Sequence, residues 1–137
     1  MSKPISDLAQ LLASMTPELN PRRVAFLTFA SHENPFPPAS TICTFRESEG
    51  LTVVADLAVA EETGHPIVFK AAWITLTVHS DFEAVGLTAA FAKTLGDAGI
   101  SANVIAGAFH DHIFVPLERA EAAMAALKDL QRKSSGA

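Results

Sequence analysis

The densest group of side chains that could do chemistry is the triplet His110-Asp111-His112. Two imidazoles that flank one carboxylate could chelate Zn²⁺ or Cu²⁺, because neutral imidazole suits both metals. A closed site needs about four ligands, so the remaining histidines would have to reach the triplet through folding. The triplet also stands where a hairpin turn is expected, and Asp is common in turns. The sequence therefore predicts no metal centre and no cofactor, with His110 and His112 as the alternative metal ligands.

Residues suited to nucleophilic or phosphate chemistry are not arranged for catalysis. Ser40 and Ser80 lack the sequence context of a nucleophile elbow. Cys43 lies in an apolar run, and Arg46 is the nearest cationic residue along the chain. The sequence contains no glycine-rich phosphate loop. We therefore expect a protein that is not an enzyme.

The composition limits the class of protein. Of the 137 residues, 49% are hydrophobic and 18% are charged, which excludes a disordered chain. This length supports one sizeable core, or two small subdomains that share one. The net charge of −5 argues against a nucleic-acid-binding surface. The single cysteine excludes an internal disulfide and fits a reducing compartment.

Neither an export signal nor a membrane span is visible in the sequence. The apolar stretches are interrupted well short of the roughly 18 residues that a membrane helix needs. The segment Met1–Leu8 lacks the apolar run of a signal peptide. We therefore expect a cytoplasmic protein that binds no membrane, with a polar, flexible tail over residues 132–137.

The first half of the chain predicts a helix, a strand, a loop, a hairpin and a short helix, in that order. The loop contains three prolines in four residues, which forbid a helix or a central strand. Gly50 can supply the positive φ of the hairpin turn, and Gly64 can end the short helix. The five elements are expected over residues 5–15, 24–29, 31–38, 41–54 and 56–62.

The second half predicts the order strand, helix, strand, strand, helix. Apolar residues alternate over residues 72–79, which is typical of a strand. A helix with a buried stripe then extends to about Asp97, and Gly99 can occupy the position after its end. A hairpin of two strands and a last helix follow. This is the ferredoxin-like order without its final strand, and it predicts an α+β fold with antiparallel sheets and helices on one face.

Three segments of the second half resemble an ACT domain. They are Trp73–Ser80, Ala84–Phe91 and Leu95–Gly107, and the strand Asp111–Pro116 with the alanine-rich helix after it fits as well. The resemblance covers about residues 70–130. It is greatest to small stand-alone bacterial proteins with two ACT-like halves, and the chain is also similar to the regulatory ACT domains of aspartate kinases. We therefore expect a degenerate ACT-like half over residues 1–68 and an ACT domain over residues 69–131.

The resemblance implies a small-molecule ligand, and in this family that ligand is mostly an amino acid. ACT domains bind it at the loop after the first strand and at the second strand of a partner copy. The family's last strand has no counterpart after Leu130 in this sequence. Carried over by position, the candidate ligand-binding residues are Ser80, Asp81, Phe82, Glu83, Ala84, Val85, Gly86, Asn103, Val104 and Ile105.

The chemistry of these positions is compatible with a zwitterionic ligand. Backbone N–H groups at a helix N-terminus can hold a carboxylate, and Gly86 allows a close approach. Asp81 or Glu83 could bind an ammonium group, and the amide of Asn103 can both donate and accept hydrogen bonds. Each position also has an ordinary structural explanation: a packed glycine, acids that complement the helix dipole, and a residue at the start of a strand.

The sequence thus predicts a non-catalytic regulatory or sensor protein that binds an amino acid. The open edges of a ferredoxin-like sheet favour a homodimer, with Trp73 and Phe109 as candidate contact residues. Two alternatives stay open at this point. One is an oligomerisation module without a ligand, and the other is a metal-binding protein that uses His110 and His112.

Overall fold

The computed structural model describes residues 7–77 and 86–134. Within them the chain forms four helices and six strands. The helices are α1 (Leu8–Ser14), α2 (Leu57–Thr63), α3 (Leu87–Asp97) and α4 (Ala120–Ser134). The strands are β1 (Pro17–Phe29), β2 (Thr41–Glu47), β3 (Gly50–Asp56), β4 (Phe69–Leu76), β5 (Asn103–Ala106) and β6 (Asp111–Pro116). Short 3₁₀ turns at Pro38–Ser40 and Leu117–Arg119 precede β2 and α4.

The chain divides into two compact units. The central unit is the continuous segment Pro21–Ala72, and the terminal unit combines Met1–Asn20 with Trp73–Ala137. Strands β1 and β4 each contribute residues to both units. Neighbouring strands run β2-β3-β1-β4 in the central unit and β1-β4-β6-β5 in the terminal unit.

The central unit is built on the hairpin of β2 and β3, which pair antiparallel from Thr41↔Ala55 to Glu47↔Gly50. Strand β3 also pairs antiparallel with β1, from Val24↔Asp56 to Phe29↔Leu51. The Asp56 carboxylate caps α2 by accepting a hydrogen bond from the Ala58 N–H. This helix ends at Gly64, whose φ of +75° confirms the predicted stop.

The proline-rich segment of the central unit forms the predicted loop. The Asn34 side chain accepts a hydrogen bond from the Phe36 N–H and donates one to the Thr41 hydroxyl. The Phe36 ring is only 5% exposed, and it makes edge contacts with the rings of Phe29 and His65. The loop is therefore anchored by a buried aromatic side chain.

The terminal unit contains α3, the hairpin of β5 and β6, and α4. Helix α3 ends as the sequence predicted, because Gly99 has φ +73° and the Ile100 N–H donates to the Leu95 carbonyl. Strands β5 and β6 pair antiparallel, from Asn103↔Phe114 to Ala106↔Asp111.

The N-terminal segment supplies the strand that the C-terminal half lacks. Strand β1 lies beside β4, where the backbone N–H and hydroxyl of Thr77 both donate to the Thr16 carbonyl at 3.0 Å. The sequence predicted a strand only over residues 24–29, but β1 begins at Pro17 and continues through Pro21. Proline fits there because pairing of β1 with β3 begins only at Val24.

Helix α1 belongs to the core of the terminal unit. Its N-terminus is capped by Asp7, whose carboxylate accepts a hydrogen bond from the Gln10 N–H. The Gln131 side chain on α4 donates to the Ala13 carbonyl at 3.3 Å. The fully buried core side chains of this unit include Leu11, Met15, Ile74, Leu76, Phe91, Leu95, Ile113, Val115, Ala123 and Leu127. The predicted α+β class with antiparallel strand pairing is confirmed.

Candidate functional site

The predicted ligand-binding residues fall partly outside the described structure. Residues Ser80, Asp81, Phe82, Glu83, Ala84 and Val85 lie between the described ranges. The structure therefore bears on Gly86, Asn103, Val104 and Ile105.

Gly86 is the N-cap residue of α3, one position before the first helical turn in which the sequence placed it. Its φ of +103° is a left-handed conformation that a residue with a side chain rarely adopts. Because Gly86 has no side chain, it makes no capping hydrogen bond to the first turn. The first N–H groups of a helix have no partner within the helix, and together with the partial positive charge at its start they favour a carboxylate.

Leu8 of α1 lies directly beside this helix start. A β-carbon on Gly86 would stand 2.9 Å from Cδ2 of Leu8. The Leu8 side chain is 37% exposed, so it borders the helix start and also reaches solvent. Sequence reasoning did not identify Leu8, since a contact between α1 and α3 depends on the tertiary fold.

The other three described candidates lie together on β5, the last strand in the strand order. Asn103 is exposed, and its side-chain N–H group lies 3.5 Å from the Phe114 carbonyl. Val104 is half-buried, and Ile105 is 38% exposed. Among the described strands β5 has β6 as its single partner, so one row of its backbone groups can pair with a further strand.

Within one copy of the chain, Gly86 and Asn103 are separated. Helix α3 has 11 residues and is therefore about 16 Å long. The hydrogen bond from Ile100 to Leu95 holds the chain near the C-terminal end of α3 just before β5 begins. Strands β4 and β5 both neighbour β6 in the antiparallel sheet and so have the same direction, and α3, the crossover that connects them, runs opposite to both. The last residue of β5, Ala106, is thus nearer to the helix start than Asn103 is.

The triplet of His110, Asp111 and His112 differs from the exposed hairpin tip that the sequence predicted. Strand β6 begins at Asp111, so the reversal of the chain precedes that residue. Asp111 is only 6% exposed, and burial raises the pKa of its carboxyl above 3.8, although the charges of His112 and His110 lower it. Pairing of Asp111 with Ala106 explains why both Asp111 and His112 have strand positions.

His112 is bound from its Nδ1 side. The indole N–H of Trp73 donates to Nδ1 at 3.1 Å, and the Thr75 hydroxyl lies 3.1 Å from the same atom. Burial lowers the pKa of His112 below 6.5, and the charge of His110 lowers it further, while Asp111 raises it. Among the described residues, no three His, Cys, Asp or Glu side chains are grouped closely enough to hold a metal ion.

An open groove on the terminal unit was not predicted. It has a volume of about 470 Å³ and is lined by Leu19, Glu121, Met124, Ala125 and Lys128. On α4, Ala123 and Leu127 are buried, whereas Met124 is half-buried and faces the groove. The spacing of the outer positions at i, i+3, i+4 and i+7 was the signal that could have revealed this groove.

Comparison with known families assigns both halves of the chain. One ACT domain model matches residues 3–72, and a second matches residues 68–129. The chain belongs to the ACT domain family. ACT domains are regulatory domains that commonly bind small molecules such as amino acids and that oligomerise. Membership therefore gives the chain a regulatory, ligand-binding role and not an enzymatic one.

Several solved structures are similar to this chain. A Vibrio cholerae protein of unknown function, described as a possible transport protein, is 46% identical, and the match covers 90% of this chain and 95% of that chain with a TM-score of 0.76. The ligand-free regulatory subunit of aspartate kinase from Thermus thermophilus is 12% identical, with coverages of 85% and 97% and a TM-score of 0.63. An Agrobacterium tumefaciens protein is 14% identical, with coverages of 85% and 89% and a TM-score of 0.62. The last two likenesses concern the fold alone. No curated protein matches the chain.

None of the described helices is both long enough and apolar enough to cross a membrane.

Proposed function

We propose that this ACT protein is an amino-acid sensor whose ligand is held between two copies of the chain. The carboxylate of the ligand binds the first-turn N–H groups of α3, next to Gly86. The observation that carries the proposal is that Gly86, an N-cap without a side chain, begins an 11-residue helix in a domain of a ligand-binding family.

The second half of the proposed site comes from β5 of a second copy. Two β5 edges that pair antiparallel about a two-fold axis bring the start of one strand to the end of the other. Asn103 of the second copy then lies near Ala106 of the first, at the end of β5 that is closer to the start of α3. In this dimer, Gly86 of one copy and Asn103 of the other copy lie at the same end of the paired strands.

The residues that bind the ammonium group of the ligand are proposed from their residue type. Asp81 and Glu83 lie outside the described residues, and we propose that they supply the carboxylates that bind it. The proposal includes a cytoplasmic location, as expected from the sequence.

Titration calorimetry with each of the twenty amino acids tests this function. We expect heat of binding for one or a few of them, and about 2.7 kcal/mol of added stability at a ligand concentration of one hundred times Kd. Asn103→Ala should weaken binding without unfolding the protein, because the Asn103 side chain is exposed. The matched control is Ser101→Ala, an exposed position two residues before β5. Absence of heat with all twenty amino acids would contradict the proposal.

A second candidate function is an oligomerisation module that has no ligand. The exposure of Ile105 at 38% and of Phe109 at 57%, on and beside the free edge of β5, favours this alternative. Ile105→Lys places a charge on the edge and should dissociate the β5 dimer. If the ligand site is shared between copies, the same variant also loses amino-acid binding. A dimer that dissociates in a protein without any amino-acid binding would favour the module.

A further inference from the structure

The outer face of α4 has a charge pattern that the ligand site does not use. Glu121, Met124, Ala125 and Lys128 line the groove of about 470 Å³ together with Leu19 of β1. The inner face of α4 is occupied by the core, since Ala123 and Leu127 are fully buried. The groove therefore presents a separate surface of the terminal unit.

The four α4 residues form one stripe along the helix. Their spacing of i, i+3, i+4 and i+7 places them on a single face. Glu121 and Lys128 are about 10 Å apart along the helix axis, which is too far for them to pair with each other. The stripe thus reads acidic, apolar, apolar, basic, and its midpoint falls between Met124 and Ala125.

Such a stripe is complementary to itself when it is reversed. In two antiparallel helices related by a two-fold axis at the midpoint, Glu121 of each copy faces Lys128 of the other. The long side chain of Met124 then faces the small side chain of Ala125, which lets the two helices approach closely. The interface is isologous, as expected for a closed dimer.

We propose that the α4 groove binds a second copy of this chain through antiparallel packing of α4 against α4. The contact has two ion pairs at its ends and the apolar residues Met124, Ala125 and Leu19 between them. It uses no residue of β5, so it exists independently of the dimer in the proposed function.

Charge reversal tests the contact, and sedimentation velocity across a range of protein concentrations measures it. All variants are made in an Ile105→Lys background, which removes association through β5. In that background we expect a reversible dimer. Glu121→Lys and Lys128→Glu should each weaken it by more than about tenfold, because each creates two like-charge contacts.

Two further samples identify the geometry. The double variant Glu121→Lys/Lys128→Glu restores both opposite-charge pairs and should recover the dimer. An equimolar mixture of the two single variants should form a heterodimer, since all its facing charges are opposite. Only an antiparallel pairing of position 121 with position 128 predicts recovery in both samples.

Glu62→Lys is the matched control, because it changes the net charge by the same amount at an exposed position of α2. Urea unfolding midpoints for every variant check that the fold is intact. A protein that stays monomeric at all concentrations in the Ile105→Lys background overturns the proposal. The proposal is also overturned if the double variant or the mixture of single variants does not recover the dimer. Any of these results would mean that the groove does not bind a second copy in this way.

Discussion

The indole N–H of Trp73 donates a hydrogen bond to Nδ1 of His112 over a distance of 3.1 Å. Nδ1 must act as an acceptor in this bond, so the ring proton of neutral His112 is on Nε2. Protonation of Nδ1 would replace the acceptor with a second donor and break the bond. The interaction therefore holds His112 in one tautomer and in its neutral form.

Acid should destabilise the protein through His112. Its pKa is lowered in the folded state, chiefly by burial, so the unfolded chain binds more protons as the pH falls below 6.5. The contribution of His112 to stability is therefore complete above pH 6.5 and is lost as the pH falls from there through the lowered folded pKa. Urea unfolding between pH 7.5 and 5 measures this loss, and Trp73, the only tryptophan, reports it by fluorescence.

His112→Asn is the control for this prediction, because its side chain can still accept from Trp73 but does not titrate. Asp111 has a raised pKa and thus the opposite sign, and it is retained in the variant. We expect a smaller loss of stability between pH 6.5 and 5 in the variant. Equal pH dependence in both proteins would contradict the role of His112.

Gly107→Ala should destabilise the turn before β6. A β-carbon at this position would stand 3.0 Å from the His110 carbonyl oxygen and 3.2 Å from Nε2 of His112. We expect a cost of about 1–3 kcal/mol in the free energy of unfolding, as for other overpacked sites. Gly96→Ala on α3 is the comparison, because its added β-carbon would have no described atom within 4 Å apart from its chain neighbours and the backbone of its own helix. That change should stabilise the helix by up to about 1 kcal/mol, and two changes of the same sign would refute the argument.

Leu11→Ala tests whether α1 is part of the core of the terminal unit. The Leu11 side chain is fully buried, so its truncation should cost about 2–5 kcal/mol in the free energy of unfolding. Leu8→Ala on the same helix removes a side chain that is 37% exposed and should cost less than about 1 kcal/mol. Chemical denaturation gives both values, and similar costs would show that α1 is not anchored through Leu11.

Phe36→Ala should loosen the proline-rich loop of the central unit. The Phe36 ring is 5% exposed, and truncation of a buried Phe costs about 3–5 kcal/mol. Phe45→Ala on β2 removes a ring that is 70% exposed and should change stability by about 0.5 kcal/mol or less. Limited proteolysis should cut the loop faster in Phe36→Ala only. Unchanged proteolysis of that variant would show that the ring does not hold the loop.

Local signals in the sequence predicted several boundaries correctly. Gly64 and Gly99 end their helices because each adopts a positive φ, which glycine does without strain. The start of α2 was predicted to within one residue, because Asp56, placed in the helix by the sequence, is the residue that caps it. These features depend on a few neighbouring residues, so they can be recognised without the tertiary structure.

Features that depend on distant residues were not predictable in the same way. Strand β1 extends through Pro21 because β4 pairs with it from a remote part of the chain. His112 was assigned to a turn because its partner Trp73 is 39 positions away. The position of Leu8 beside Gly86 likewise joins residues that are far apart in sequence. Each difference results from tertiary contacts that override local preference.

The hydrogen bond between Thr16 and Thr77 has a consequence for synthesis on the ribosome. The two residues are 61 positions apart, so at about 5–20 residues per second Thr16 is made about 3–12 s before Thr77. The apolar side chains of Leu11 and Met15 can complete their core only after α4 has been made, which takes still longer. During this time the continuous segment Pro21–Ala72, which is a compact unit in the structure, can fold. The segment that contains Thr16 is thus made before its partners and is among the last parts of this chain to reach its native place.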